Sequence, residues 1–442
     1  MRGRSSWLPP GAVLAAAVFA AVALGATGIV RATGHLIDDT GRYQEHADSM
    51  GSDLVPYRDF DFEYPPGALA VFALPALVVS GKTEYFWAFA ALMAVAGAVG
   101  VLLTDAALGR LGRSSRARRS VLAILAVSPA AFGSVLLTRF DLVPAALVAG
   151  AMLLLLVDRP RAASLTLGVG AAVKLYPLAV VPLLAVWTWR RVSPREAVVC
   201  STLALGIVAL AYLPFALLAP AEVVSSIWDQ LSRPLQIESL GAGVLLLLHH
   251  AAGLGVTVET NQRSQNLTGG TAATVAAALS AASIATAAWL WLAFVRGEAT
   301  PERLVRYAAA VLVAFVAFGK VLSPQFLVWL LFAVALVAGR RGAVAGACFA
   351  VAAVATAVWF PWLYFELPRD RDPFVASLVV VRGMALVVVL AVLVWPREAT
   401  QGTSVVASTP GGSKRMTLNR ASSSTLMEWT RRAGSKKKPP SP

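Results

Sequence analysis

Apolar runs of membrane-spanning length, or close to it, recur from Gly11 to Trp395, and within each run the apolar residues are continuous rather than alternating. In hydrocarbon a segment has to close its own backbone hydrogen bonds, so these runs predict helices and argue against a β-barrel, whose strands alternate. The predicted spans are 11–30, 84–104, 120–138, 141–157, 162–174, 177–189, 196–218, 271–295, 304–319, 326–339, 342–360 and 375–395, about 12 crossings. The stretch 67–80, only ~14 residues, is short of the ~20 a span needs. It is predicted to lie on the outer face as a juxtamembrane or re-entrant helix, and the same logic makes 240–256 a non-crossing outer segment. Two pairs of spans are short, 162–174 with 177–189 and 304–319 with 326–339. Their tips, Lys174-Leu175-Tyr176-Pro177 and Gly319-Lys320-Val321-Leu322-Ser323-Pro324-Gln325, are polar and marked by proline. Irregular backbone at membrane depth has to line protein or water, so these tips predict a cavity.

Composition narrows the class. Of 442 residues 57% are hydrophobic and 14% charged, against roughly 25% charged in soluble domains, and the mean hydropathy is +0.69. One all-α polytopic membrane domain over 1–396 follows, with no soluble domain and no internal repeat. Cys200 and Cys348 sit in apolar runs without disulfide or metal spacing, as small packing residues do. The first run follows Arg2 and Arg4 but is longer than a signal-peptide core, which predicts an uncleaved span. The stretch 397–442, rich in Ser, Thr, Gly, Lys and Pro, is expected to be a disordered basic cytoplasmic tail loosely attracted to membrane lipids.

The net charge of +14 would suggest nucleic acid in a soluble protein. Its distribution points to topology instead, and no nucleic-acid partner is expected. Basic clusters at Arg110–Arg119, Arg159–Arg161, Arg190–Arg195, Arg296–Arg306, Arg340–Arg341 and the tail belong on the cytoplasmic side. With both termini there too, that side holds 26 of the 38 basic residues and 7 of the 24 acidic ones. The loop His35–Pro66 falls outside. It carries eight acids (Asp38, Asp39, Glu45, Asp48, Asp53, Asp59, Asp61 and Glu63) against Arg42 and Arg58.

That loop holds the densest candidate chemistry. Asp38 and Asp39 follow the first span, and Tyr43 stands one helical turn after Asp39. A carboxylate there is a general base if it reaches a substrate hydroxyl, and otherwise a solvated acid or a helix cap. In Pro56–Gly67 the aromatics Tyr57, Phe60, Phe62 and Tyr64 interleave with Asp59, Asp61, Glu63 and Arg58 before a stiff Pro65-Pro66 turn. Aromatics with carboxylates suit sugars; the bland alternative is an interfacial aromatic belt. A divalent metal on Asp59, Asp61 and Glu63 has no specific spacing to support it, and no metal site is expected. Arg139 beside Asp141, and Lys174, Lys320 and Arg233, are cations at the outer ends of spans or in the outer loop. Converging there, they would suit a lipid-linked phosphate; the alternatives are a local Arg139–Asp141 pair and snorkelling lysines. The polar stretch Arg233–Ser239, with Gln236 and Glu238, could bind substrate or cap a helix. His249-His250 has no third ligand nearby, and the sequon Asn266-Leu267-Thr268 is of a kind common by chance. There is no Walker loop, no soluble nucleotide-binding unit and no Ser/His/Asp set, so an enzyme here needs an activated substrate already in the membrane.

The run Asp39-x3-Tyr43, then Pro56-Tyr57-Arg58-Asp59-Phe60 and Phe62-Glu63-Tyr64-Pro65-Pro66-Gly67, resembles the first outer loop of glycosyltransferase family 87. Arg139-Phe140-Asp141, Lys174-Leu175-Tyr176-Pro177, Arg233–Ser239 and Lys320–Gln325 look like further motifs of that family in the same order. The resemblance covers roughly residues 35–330 and excludes the tail. It implies the GT-C fold and a polyprenyl-phosphate sugar donor, with mannose in a β link the usual sugar. It implies a lipid-linked or cell-envelope glycan as acceptor on the outer face of the plasma membrane; no cofactor besides the donor substrate is expected, and the metal requirement is left open. An aspartate of the first outer loop acts as base in such enzymes; Asp39 is the matching position, with Asp38 beside it. The substrate contacts would come from Asp38, Tyr43, Tyr57, Arg58, Asp59, Glu63, Tyr64, Arg139, Asp141, Lys174, Tyr176, Arg233, Gln236, Glu238, Lys320 and Gln325. The Pro-Tyr-Arg-Asp-Phe variant departs from the looser Tyr-Pro-Pro pattern and leaves the sugar open. A transporter or flippase of lipid-linked sugars would explain the short hairpins and buried cations, but has no need of an acid-and-aromatic outer loop. A structural scaffold would leave the lysines without purpose.

Overall fold

A computed structural model describes residues 9–395; Arg2, Arg4 and the predicted tail from 397 lie outside the described residues. In chain order the elements are α1 (Pro10–Ala32), α2 (Thr40–Gly51), α3 (Ala68–Ala76), α4 (Lys82–Arg110), α5 (Ser115–Val127), α6 (Val135–Thr138), α7 (Leu142–Leu156) and α8 (Pro160–Val173). There follow α9 (Val181–Arg191), α10 (Pro194–Leu218), α11 (Pro220–Ser232), β1 (Leu235–Gln236), α12 (Leu240–Ala252), β2 (Thr257–Asn261) and β3 (Ser264–Thr268). The last elements are α13 (Gly270–Arg296), α14 (Pro301–Ala317), α15 (Val328–Ala335), α16 (Gly339–Trp359), α17 (Glu366–Asp370) and α18 (Pro373–Val394).

Six of the described helices are long and apolar enough to cross a membrane: α1, α4, α10, α13, α16 and α18. The other predicted spans come out shorter. The expected span 120–138 is not one helix: Pro129 opens a 3-10 turn over Ser128–Ala131, and Gly133 takes a φ of +55° before α6. Proline also starts α8 and α14 and sits in the turns ahead of α9 and α15, where its missing N–H is tolerated only in the first turn. The stretch 67–80 gives α3, a helix of only nine residues. The stretch 240–256 gives the 13-residue α12, closed by Gly253 in the left-handed region.

Burial sorts long helices from short ones. α14 and α15 are apolar on nearly every side and buried along most of their length, so they form the middle of the body with α7. The long α10 and α13 leave most of their apolar side chains at least partly exposed, as a lipid-facing helix does. Packing runs α1 on α4, α4 on α7, α7 on α8 and α8 on α10, while α12, α14 and α16 pack on α18.

The basic helix ends are cross-linked: Arg113 to Glu302 at 3.4 Å, Arg161 to Glu196 at 2.5 Å, Arg191 to Asp158 at 3.3 Å and Arg190 to the carbonyls of Val295 and Gly297. The same helices carry the acidic and aromatic loops at their other ends.

Two features depart from the sequence reading. The fold is not all-α: β1, β3 and β2 form a three-stranded antiparallel sheet. Its strands are short and polar, and the Gln262-Arg263 turn takes positive φ (44° and 57°) where Asn-Gly would be the recognisable signal. The loop His35–Pro66 also contains a helix, α2.

Candidate active site

The loop His35–Pro66 is pinned by close approach. The N–H of Gly67 donates to the Ala172 carbonyl at 2.8 Å, and a Cβ on Gly67 would stand 2.6 Å from that residue's backbone. Only glycine lets Pro65-Pro66 bring the loop onto the end of α8, one residue before Lys174. Above this contact lies an aromatic nest. Tyr43 stacks on Phe72 at 4.2 Å and meets Tyr64 and Phe140 edge-on. Its burial pushes the phenol well above the usual range, with Asp39 raising it further and Arg139 opposing. His46 joins the nest beside Phe60, Phe62 and Phe72, and burial lowers its pKa to about 4, so it is neutral.

On this support sit two ion pairs. Arg139 Nε lies 3.1 Å from Asp39 Oδ2, with the arginine side chain 9% exposed and the aspartate 33%. Lys174 Nζ donates to Asp141 Oδ1 at 2.6 Å, and Trp329 Nε1 donates to the same oxygen. The ammonium lies 4.5 Å from the Phe140 ring centre and 5.3 Å from that of Trp329, and Trp329 stacks on Tyr176 at 4.3 Å. Arg139 therefore pairs across the fold with Asp39 and not with its sequence neighbour Asp141.

The two adjacent aspartates do different work. Asp38 accepts from both the N–H (2.9 Å) and the hydroxyl (2.5 Å) of Thr40, holding the first turn of α2. Asp39 keeps its carboxylate for Arg139.

A third group closes the site from the C-terminal half. Glu238 is buried between β1 and α12, and burial raises its pKa to about 7 against the pull of Arg382 and of a Tyr364 hydrogen bond. Arg139 and Arg233 also act on it. Arg382, ten residues into α18 and fully buried, donates to the carbonyls of Glu238 and Leu322. Arg382 thus ties the segment around Glu238 to the tip around Lys320. Gln236 joins the same two segments: its N–H donates to the Lys320 carbonyl at 2.9 Å and its amide to Ser323 at 2.8 Å. Asp141 Oδ2, Tyr176 OH, Gln236 Oε1 and Glu238 Oε2 are buried without a protein partner, unmet polar capacity of the kind a hydroxylated ligand satisfies.

Other candidates lie apart. Tyr57 turns to α10, packing on Tyr212 and Phe215 while its hydroxyl donates to the Tyr64 carbonyl. Arg58 and Asp59 bind each other at 2.8 Å, and with the Val55 N–H this holds Asp59 down to about 2. Lys320 donates to the Leu231 carbonyl at 2.7 Å, away from Lys174 and Asp141. Arg233 donates to the β2–β3 turn, and Ser239 caps α12. Gln325 is half-buried in the turn before α15. Glu63 bridges Arg42 at 3.0 Å and Arg263 at 3.5 Å. His249 and His250 bond carbonyls, and the amide of Asn266 is fully buried in β3, which removes the sequon reading. Among the described residues no group of three or more His, Cys, Asp or Glu side chains could hold a metal.

Sequence reasoning missed Arg382, Trp329 and Tyr364. Arg382 did carry a signal, a lone guanidinium inside the apolar run 375–395, where ionisable groups are costly. Trp329 and Tyr364 carried none, since an aromatic residue beside apolar ones reads as packing.

The family model of glycosyltransferase family 87 matches the chain over residues 62–324. The matched segment takes in Glu63, Arg139, Asp141, Lys174, Glu238 and Lys320 but not Asp39 or Arg382. No curated protein matches the chain.

Proposed function

The chain belongs to glycosyltransferase family 87, and from that premise we propose that it moves a sugar, mannose being the first candidate, from a polyprenyl-phosphate donor to a lipid-linked or envelope glycan. The proposed architecture is a GT-C fold of about 12 crossings with outer-face helices, in which each pair of short spans forms a hairpin with a polar tip. The site would face outward from the plasma membrane, with both termini inside. The catalytic domain would be 1–396, followed by the tail 397–442.

In the proposed reaction the acceptor hydroxyl oxygen bonds to the anomeric carbon as the bond from that carbon to the phosphate oxygen breaks. The electron pair stays on the departing polyprenyl phosphate, and the hydroxyl proton passes to Asp39. A β-linked donor then gives an α product. Arg139 would exchange Asp39 for the donor phosphate, with Lys174 adding positive charge behind it; removing one such contact typically raises a barrier by a few kcal/mol. Tyr176, Gln236 and Glu238 would meet sugar hydroxyls.

The observation that carries the reading is the Asp39–Arg139 pair, a carboxylate one-third exposed held by a nearly buried guanidinium beside the Lys174–Asp141 pair. The test is Asp39→Asn in membranes supplied with polyprenyl-phosphate [14C]mannose. A general base contributes about 10²–10⁴-fold, so transfer should fall by that much, while Asp38→Asn should reduce it far less. Undiminished transfer in Asp39→Asn would sink the base assignment, and labelled lipid that moves with its headgroup unchanged would mean transport in place of transfer.

A further inference from the structure

Beside the aromatic nest, from which it takes Phe62, lies a cavity of about 280 Å³. Its walls come from the loop His35–Pro66, the tip of the β2–β3 turn and one face of α11. The α11 face consists of Glu222, Ser225, Ser226, Asp229 and Gln230, spaced as one stripe of a helix. A second stripe, at Val224, Ile227, Trp228 and Leu231, is apolar and faces outward, with Val224, Trp228 and Leu231 exposed by 66%, 66% and 65%. An amphipathic helix of this kind lies in the plane of a membrane interface, apolar stripe down. The polar stripe then lines a cup at headgroup level.

The lining selects a ligand class. The rings of Tyr57 and Phe62 give it an aromatic wall, and the serines with Gln230 and Gln262 give it neutral polar groups. Four carboxylates, Asp61, Glu63, Glu222 and Asp229, face a single guanidinium, Arg263. That guanidinium is engaged by Asp61 at 3.4 Å and Glu63 at 3.5 Å. A cup with this excess of negative charge repels a phosphate, so it does not suit the donor. Its acids do not converge on one point, since among the described residues none form a metal-holding group. Dispersed acceptors beside aromatic rings suit a neutral polyhydroxylated ligand. The volume is near the lower edge of the ~300–1,000 Å³ of ligand pockets and admits a single sugar ring or a disaccharide.

We propose that this cup binds the neutral glycan of a lipid-anchored acceptor, whose tail enters the membrane alongside the apolar stripe of α11. The inference rests on the glycosyl-transfer reading and names the acceptor subsite within it.

The test uses the full-length chain in nanodiscs, polyprenyl-phosphate [14C]mannose as donor and octyl α-mannoside as a neutral amphiphilic acceptor. In Glu222→Gln/Asp229→Asn the acceptor KM should rise about tenfold, with kcat at saturating acceptor and the donor KM within twofold of the parent. An unchanged acceptor KM, or a fall in kcat alone, overturns the assignment. A second measurement needs no turnover: an octyl mannoside carrying a diazirine on its sugar should photolabel the peptide 222–230. Label confined to other segments overturns the subsite. Label at 222–230 in a chain that transfers nothing would uphold the cup as a glycan site and defeat the transferase reading.

Discussion

The two ends of the helical body handle charge in opposite ways. At the basic end most pairs are open to solvent on at least one side: Arg161 is 65% exposed and Asp158 68%, and only Asp105, held by Arg118, is buried at 3%. The open contacts there tie one helix end to the next, and water could replace them. At the other end Asp141 is 1% exposed and Lys174 18%, and the pair shares its carboxylate with Trp329. Burying charge is expensive unless it is paired, so such a cluster does not persist for stability alone. The contacts at the basic end tie helices together, and the acidic and aromatic end carries the side chains proposed above to handle the substrate.

The sharpest way to break this contrast is to remove one partner from each end. Asp141→Ala would leave the Lys174 ammonium buried among Phe140, Phe326 and Trp329 without a counter-charge. Breaking a buried pair costs about 3–5 kcal/mol, so thermal unfolding in detergent should shift down strongly or the variant should fail to accumulate. A Tm within a degree or two of the parent would show that the pair is dispensable.

Glu238 gives a second, pH-dependent contrast. Its folded pKa is raised from 4.5 to about 7 by burial. Between those values the folded state holds a proton that the unfolded state has lost, so stability should decline as pH rises through that window. The full difference is on the order of 3 kcal/mol. Glu238→Gln should flatten this dependence, becoming more stable than the parent at pH 8 relative to pH 5. Parallel melting curves for the two proteins at both pH values would contradict it.

The smallest effect is expected at the basic end. Glu196→Gln weakens an exposed pair with Arg161 and should cost less than about 1 kcal/mol, with sugar transfer unaltered. A loss as large as that of Asp141→Ala would erase the distinction between the ends.

Much of this was legible in the sequence. Apolar continuity required helices, and proline positions marked where they break. The excess of arginines at one set of helix ends and of acids in one loop separated two faces. The loop His35–Pro66 stood out in the sequence, yet its eight acids could not be ranked from spacing. Asp38 and Asp39 are neighbours in sequence, and only the fold spends one on Thr40 and leaves the other for Arg139. The amphipathic stripe of α11 was readable at Glu222–Gln230, but its short length and position between apolar runs hid it.

The sequence by itself determined that the chain is a bundle of apolar helices with polar, proline-marked tips, because solvent and backbone chemistry act on each segment locally. Only the tertiary structure decided the pairing of charges. Arg139 opens the short link after α6 and Asp141 occupies the N-cap position of α7, so each finds its partner on another element: Asp39 for one, Lys174 for the other. Arg382 reaches the backbone carbonyl of Glu238 across 144 positions of chain. Helix formation depends on neighbours in sequence, whereas the worth of a buried charge depends on what the fold places within a few ångströms of it.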